Sequence, residues 1–271
     1  MDLHLAGKTA IVTGGSAGIG AACARALHQE GVRVAIVARN EERLQATAAA
    51  IRAQPSMAPS AGSADAVVLP IAADVRQPED IQRVVAMALQ RFGHLDILVN
   101  NAGAASAGAF LTLPDEAYLD AWTLKLLGYI RLVRAVAPHM IERRDGRIVN
   151  IVGGAGRTPS PAFLAGSTAN AALLNFTRGI SKELAGHNVR INAISPGSTA
   201  TERADRLAEQ RAAASGITVA EAKAHTAGSI PLGHMVDPDE IAAMVLLLVS
   251  DRVRSMTGAE VIIDGGATPG V

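Results

Sequence analysis

The stretch "TGGSAGIG", residues 13–20, decides the fold. It follows the apolar, β-branched run "TAIV" at 9–12 and leads into an alanine-rich segment. Its glycines fall at 14, 15, 18 and 20. A glycine-rich turn between a strand and a helix near the start of a chain suits a dinucleotide pyrophosphate. The first glycine permits a tight turn, the next lets the backbone approach the phosphates, and the last lets helix and strand pack closely. The helix start then offers free N–H groups and the positive end of its dipole. Gly14, Ser16, Ala17, Gly18, Ile19 and Gly20 are the expected cofactor contacts of this turn.

Six more apolar runs follow, at 32–38, 67–75, 95–101, 146–152, 189–196 and 260–266. They are continuous rather than alternating, as expected of strands covered on both faces. Between them, stretches such as "IQRVVAMALQRFG" and "DEIAAMVLLLVSD" repeat apolar residues every three or four positions. Strand and helix alternating from end to end predicts a single-domain, doubly wound α/β fold with a central parallel sheet of about seven strands. Two segments break the rhythm. Residues 53–66, rich in Pro, Ser, Ala and Gly, read as a surface loop. Residues 201–231 are polar and helical in pattern, and read as a substrate lid over the carboxyl ends of the strands.

Bulk properties narrow the partners. Twenty-five basic residues balance twenty-five acidic ones, which leaves no electrostatic reason for nucleic acid or an anionic membrane. Balanced charge favours self-association. The lone cysteine, Cys23, reads as a small core residue. With no apolar run long enough to span a bilayer, a cytoplasmic location is the default expectation. No cluster of His, Cys and carboxylates suggests a metal, and no Gly-x-Ser-x-Gly elbow suggests hydrolysis.

The second run ends in Ala38 and Arg39. An acid at this point holds the ribose hydroxyls of NAD, whereas an arginine forms a forked pair with a 2′-phosphate. NADP(H) is therefore expected over NAD(H), with Arg39 as its contact; the alternative is a solvated arginine before a helix.

These motifs together resemble the short-chain dehydrogenase/reductase family over nearly the whole chain. "TGGSAGIG" resembles its cofactor turn in a Rossmann fold. Asp74 and Val75 match the pair that contacts adenine. Asn101, Ala102 and Gly103 lie in "NNAG", similar to the motif beside the cofactor after the fourth strand. Pro196, Gly197, Thr199 and Thr201 lie in "PGSTAT", which resembles the segment whose threonine holds the carboxamide, a role for Thr201. "IDGG", 263–266, resembles the closing segment, usually at a subunit interface. The resemblance implies an oxidoreductase acting on a small carbonyl or alcohol, assembled as a homodimer or homotetramer.

It also implies a catalytic Asn, Ser, Tyr and Lys, with the Tyr as acid/base and the Lys lowering its pKa. The matching positions read Lys125, Gly153, Gly166 and Asn170. Both tyrosines, Tyr118 and Tyr129, precede the fifth strand, and neither has a lysine four residues on. The usual mechanism is therefore expected to be absent. Asparagine and lysine stand exchanged between two helices, so Lys125 and Asn170 are the candidate catalytic residues.

Lys125 lies in the apolar run "AWTLKLLGYI" with no acid three or four residues away. A buried ammonium without a partner is costly, and burial depresses its pKa. The alternative is a stem laid along apolar surface with its head in water. Gly153 and Gly166 are expected to open space. Phe163, Ser167, Thr168, His225 and His234 are the nearby groups, with ordinary helix-start or surface roles as their alternatives. Two further functions stay open: a protein that holds NADP(H) without turnover, and non-redox chemistry on the same fold.

Overall fold

In the computed structural model, residues 2–56 and 67–269 are described. Residues 57–66 of the expected loop lie outside the described residues. The seven apolar runs form strands β1 (Thr9–Thr13), β2 (Arg33–Ala38), β3 (Val68–Ala72), β4 (Ile97–Asn100), β5 (Gly146–Ile151), β6 (Val189–Pro196) and β7 (Glu260–Ile263). They make one sheet, in the order β3-β2-β1-β4-β5-β6-β7, with every pairing parallel. Strands three, four and seven end earlier than their apolar runs do, which leaves Asp74, Asn101 and Asp264 in the turns beyond the sheet.

The connections are α1 (Gly18–Gln29), α2 (Glu41–Arg52), α3 (Pro78–Phe92), α4 (Asp115–Ala121), α5 (Gly128–Arg143), α6 (Leu164–Ala185), α7 (Glu202–Ser215), α8 (Val219–Gly228) and α9 (Pro238–Val249). One core joins the sheet to α1, α2 and α9 through residues such as Leu27, Leu44 and Val245. The other joins it to α3 and α5 through Val84, Phe92, Leu132 and Met140. Strands apolar on both faces need both layers, and this is why their sequence does not alternate.

The chain steps outward from β1 to β3, then returns to place β4 on the other side of β1. Crossovers leave in opposite directions there, so a crevice opens at the carboxyl ends of β1 and β4, the ligand position of such sheets. A continuous rod from 115 to 143 contains a π-helical segment, Trp122–Leu127, between α4 and α5. Such insertions recur at functional sites, and this one carries Lys125.

Candidate active site

The carboxyl ends of the central strands open on a cleft of about 860 Å³, within the usual size of small-molecule sites. One wall is β1, the start of α1 and the turn after β4. Thr13 ties these together: its hydroxyl accepts from the backbone N–H of Asn101 at 2.9 Å and of Ala102 at 3.1 Å. The Asn101 amide donates back to the Thr13 carbonyl at 3.1 Å. Gly14 has φ +66°, and a Cβ on it would stand 2.7 Å from Asn101 Nδ2. A Cβ at Gly20 would run into the Gly14 carbonyl. No side chain caps α1 and no acid stands in its first turn, so its N-terminal N–H groups remain free for an anion. This wall fits a dinucleotide pyrophosphate.

Gly14, Ala17, Gly18, Ile19, Asn101, Ala102 and Gly103 line the cleft, as do Pro196, Gly197, Thr199 and Thr201. The Thr201 side chain caps α7 by accepting from Ala204 N–H, and its methyl group rests against Gly18. Ser16, Gly20, Arg39, Asp74 and Val75 stand outside the lining. The Ser16 carbonyl accepts from Arg43 Nε at 3.2 Å. Arg39 is exposed, and Arg43, one helical turn later, lines the cleft instead. Asp74 accepts from the Arg76 guanidinium, 2.9 Å from Nε, which holds its carboxyl below the usual range.

The facing wall is the π-helical segment, the end of β5 and the start of α6. Three side chains converge on three consecutive carbonyls there. Tyr129 donates to Ile151 at 3.0 Å, Lys125 donates to Val152, and Asn170 Nδ2 donates to Gly153 at 3.4 Å. Tyr129 is wholly buried, and burial raises its phenol pKa. Tyr118 packs edge-on against Trp122 and stands outside the cleft.

Lys125 and Asn170, predicted from their exchanged positions, therefore meet the same strand end from two helices. The Lys125 stem lies on Gly103, where a Cβ would sit 3.2 Å from its Cδ. Among the described residues no carboxylate pairs with its ammonium. Burial, and then the Arg203 guanidinium, pull its pKa down to about 7. Asn170 is 4% exposed, and its Oδ1 has no partner among the described residues.

The expected opening at Gly166 is corrected: the Phe163 ring fills the place a side chain there would take. Space at Gly153 is also limited, since a Cβ would meet Asn170 Nδ2 at 3.1 Å. Ser167 and Thr168 donate to the Leu164 carbonyl within their own helix, at 3.2 and 2.8 Å. His225 and His234 do not line the cleft. Among the described residues no group of three His, Cys, Asp or Glu side chains is placed to hold a metal, and no helix is long and apolar enough to cross a membrane.

Residues 8–212 match the family described as short chain dehydrogenase. The chain belongs to the short-chain dehydrogenase family. It is an oxidoreductase of that type. Over 265 residues it is 33% identical to a 2,3-dihydro-2,3-dihydroxybenzoate dehydrogenase of Bacillus subtilis (strain 168), covering 98% of this chain and 97% of the relative. The L-sorbose reductase of Gluconobacter frateurii, solved with NADPH and L-sorbose, superposes with TM-score 0.92 at 30% identity over 100% of both chains. A xylitol dehydrogenase solved with NAD+ superposes with TM-score 0.86 at 28% identity, over 97% of this chain and 100% of that one.

Sequence reasoning missed several residues of this short-chain dehydrogenase. Arg43 was legible only as a helix-surface charge. Phe163 was named beside Gly166, but not as the ring that fills its place. A buried ladder behind the cleft, Asn100 to Asn150 to Thr177 with both bonds at 2.9 Å, needed strand register to be seen. Residues 202–228 also bring Arg203, Arg206, Arg211 and Lys223 to the cleft; the sequence showed these charges but not their direction.

Proposed function

We propose that this chain is an NADP(H)-dependent reductase of a small carbonyl compound, with Lys125 in place of the tyrosine acid/base. In this reading the family's Asn, Ser, Tyr and Lys positions hold Lys125, Gly153, Gly166 and Asn170. One observation carries it: an ammonium without a carboxylate partner among the described residues, its pKa drawn down to about 7 by burial, faces the same cleft as the dinucleotide turn.

The bound dinucleotide supplies or accepts the hydride. Lys125 does the proton chemistry. As an ammonium it donates to the carbonyl oxygen as that oxygen gains charge, and it recovers a proton from water at the cleft mouth. A donor titrating near neutrality is matched to that task. The Val152 carbonyl fixes the direction of the ammonium. Asn170 holds the neighbouring Gly153 carbonyl, and its unpartnered Oδ1 accepts from a substrate hydroxyl or a water. In the reverse direction the neutral amine takes the alcohol proton.

The relatives carry both nicotinamide forms, so likeness does not choose between them. NADP(H) is supported by Ala38 at the end of β2, where an acid would serve NAD, and by Arg39 and Arg43 beside it. The α7–α8 pair, 202–228, acts as the lid. We further propose a cytoplasmic homodimer or homotetramer, supported by the balanced charge and by exposed apolar side chains at Phe110, Leu111 and Leu119.

NADPH oxidation across a panel of carbonyl compounds tests this, with Lys125→Met alongside. Turnover that falls about 10²–10⁴-fold in the variant is expected; full activity in the variant overturns the role of Lys125. The second reading, a cofactor-holding protein without turnover, is favoured by the Phe163 ring over Gly166. It is the outcome if NADPH binds, seen as enhanced nicotinamide fluorescence, and no carbonyl is reduced.

A further inference from the structure

The cleft holds more positive charge than its own acids neutralise. Glu202 pairs with Arg43 and lies 3.8 Å from Arg206. Asp205 pairs with Lys223 at 2.6 Å. Asp264, the remaining acid of the lining, spends its oxygens on the backbone N–H groups of Gly266 and Thr268, at 2.9 and 2.7 Å. Arg211 donates to the Thr226 hydroxyl at 3.1 Å, which leaves Lys125 and Arg203, and neither has a carboxylate among the described residues.

These two cations flank one residue. The Lys125 stem lies against Gly103, and Arg203 Nη1 stands 3.5 Å from the Gly103 carbonyl. That single long contact leaves the rest of the arginine's planar fork unused. Two like charges brought together in a half-enclosed cleft repel, and an anion placed between them removes the repulsion. Arg203 also contributes to lowering the Lys125 pKa, in agreement with this proximity.

We propose that Arg203 is the carboxylate anchor of an oxo-acid substrate, whose neighbouring carbonyl oxygen is thereby set against Lys125. An arginine fork matches a carboxylate with two parallel hydrogen bonds, which fixes orientation as well as charge. Arg203 stands in the first turn of α7, so substrate binding draws the start of that helix toward Gly103. The proposal rests on the reductase reading of the cleft and narrows its substrate to short 2-oxo or 3-oxo acids.

The test compares pyruvate, 2-oxobutanoate and acetoacetate with their methyl esters in NADPH oxidation, in wild type and Arg203→Met. In parallel, oxamate is titrated calorimetrically into the NADPH-loaded proteins. A charged hydrogen-bonded pair is worth about tenfold to a hundredfold, so the acids are expected to exceed their esters by at least about tenfold in kcat/KM. Arg203→Met is expected to erase that preference through KM, and Arg203→Lys to restore part of it, with NADPH affinity unchanged. Esters reduced as well as acids overturn the proposal. So does a variant that loses NADPH affinity while keeping the acid preference, because Arg203 then serves the cofactor. If wild type reduces no compound in the panel, the reductase reading fails with these substrates and the titration decides: oxamate bound by wild type but not by the variant supports the anion subsite, and no binding overturns it.

Discussion

The two walls of the cleft are built differently. On the β1–β4 side, short side chains lock onto backbone: Thr13, Asn101 and the glycines at 14 and 20 interlock so tightly that added atoms collide. On the side of the π-helical segment, β5 and α6, long side chains reach in from separate helices, and Lys125, Asn170 and Phe163 occupy space that backbone geometry does not dictate. In the proposed reading the first wall holds the dinucleotide, and the collisions there leave little room for larger residues. In the same reading the second meets the substrate, and a change at one of its side chains calls for a matching change at its neighbour.

The largest expected effect comes from breaking the rigid wall. Gly20→Ala places a Cβ against the Gly14 carbonyl; overpacking of this kind costs about 1–3 kcal/mol or more, so NADPH affinity is expected to fall by roughly 10–10²-fold. Fluorescence titration measures it, and unchanged affinity would remove the interlocked turn from the explanation. Arg43→Ala is expected to weaken NADPH by about tenfold while leaving NADH within about twofold, as loss of a charged contact to a phosphate predicts. Equal losses for both cofactors would assign Arg43 to the turn, through the Ser16 carbonyl, rather than to a 2′-phosphate.

The adaptable wall responds to paired changes. Gly166→Ala drives a methyl group into the Phe163 ring and is expected to destabilise by about 1–3 kcal/mol. Adding Phe163→Ala recovers part of that loss if the ring is the obstacle, which denaturant unfolding of the single and double variants decides. The same wall also makes stability depend on pH. The Lys125 pKa falls from 10.5 to about 7 in the fold, so between these values the unfolded chain binds more protons. Wild-type stability is therefore expected to gain on that of Lys125→Met as pH rises from about 7 to about 10.5. Below that window the variant has its full advantage, because wild type then buries a charge. Parallel thermal melts whose separation ignores pH would place the ammonium in water.

Much of this division was legible in the sequence. Glycine spacing and the apolar runs fixed the cofactor wall because that wall is backbone, and backbone demands particular residues at particular positions. Lys125 and Asn170 were legible as an exchange, yet their meeting at Val152 and Gly153 depends on a π-helical insertion that no residue type announces. Arg43 lines the cleft because one helical turn of α2 returns a side chain over the Ser16 carbonyl. Phe163 closed the space at Gly166 because an aromatic ring fills whatever volume a missing side chain leaves.

The most direct test of Lys125 as proton donor is the pH profile of kcat/KM for NADPH-dependent carbonyl reduction, in wild type and Lys125→Met. A wild-type rate that declines as pH rises through about 7, with a far lower and pH-flat rate in the variant, is expected from its depressed pKa. Full activity in the variant, with the same decline through pH 7, would contradict it.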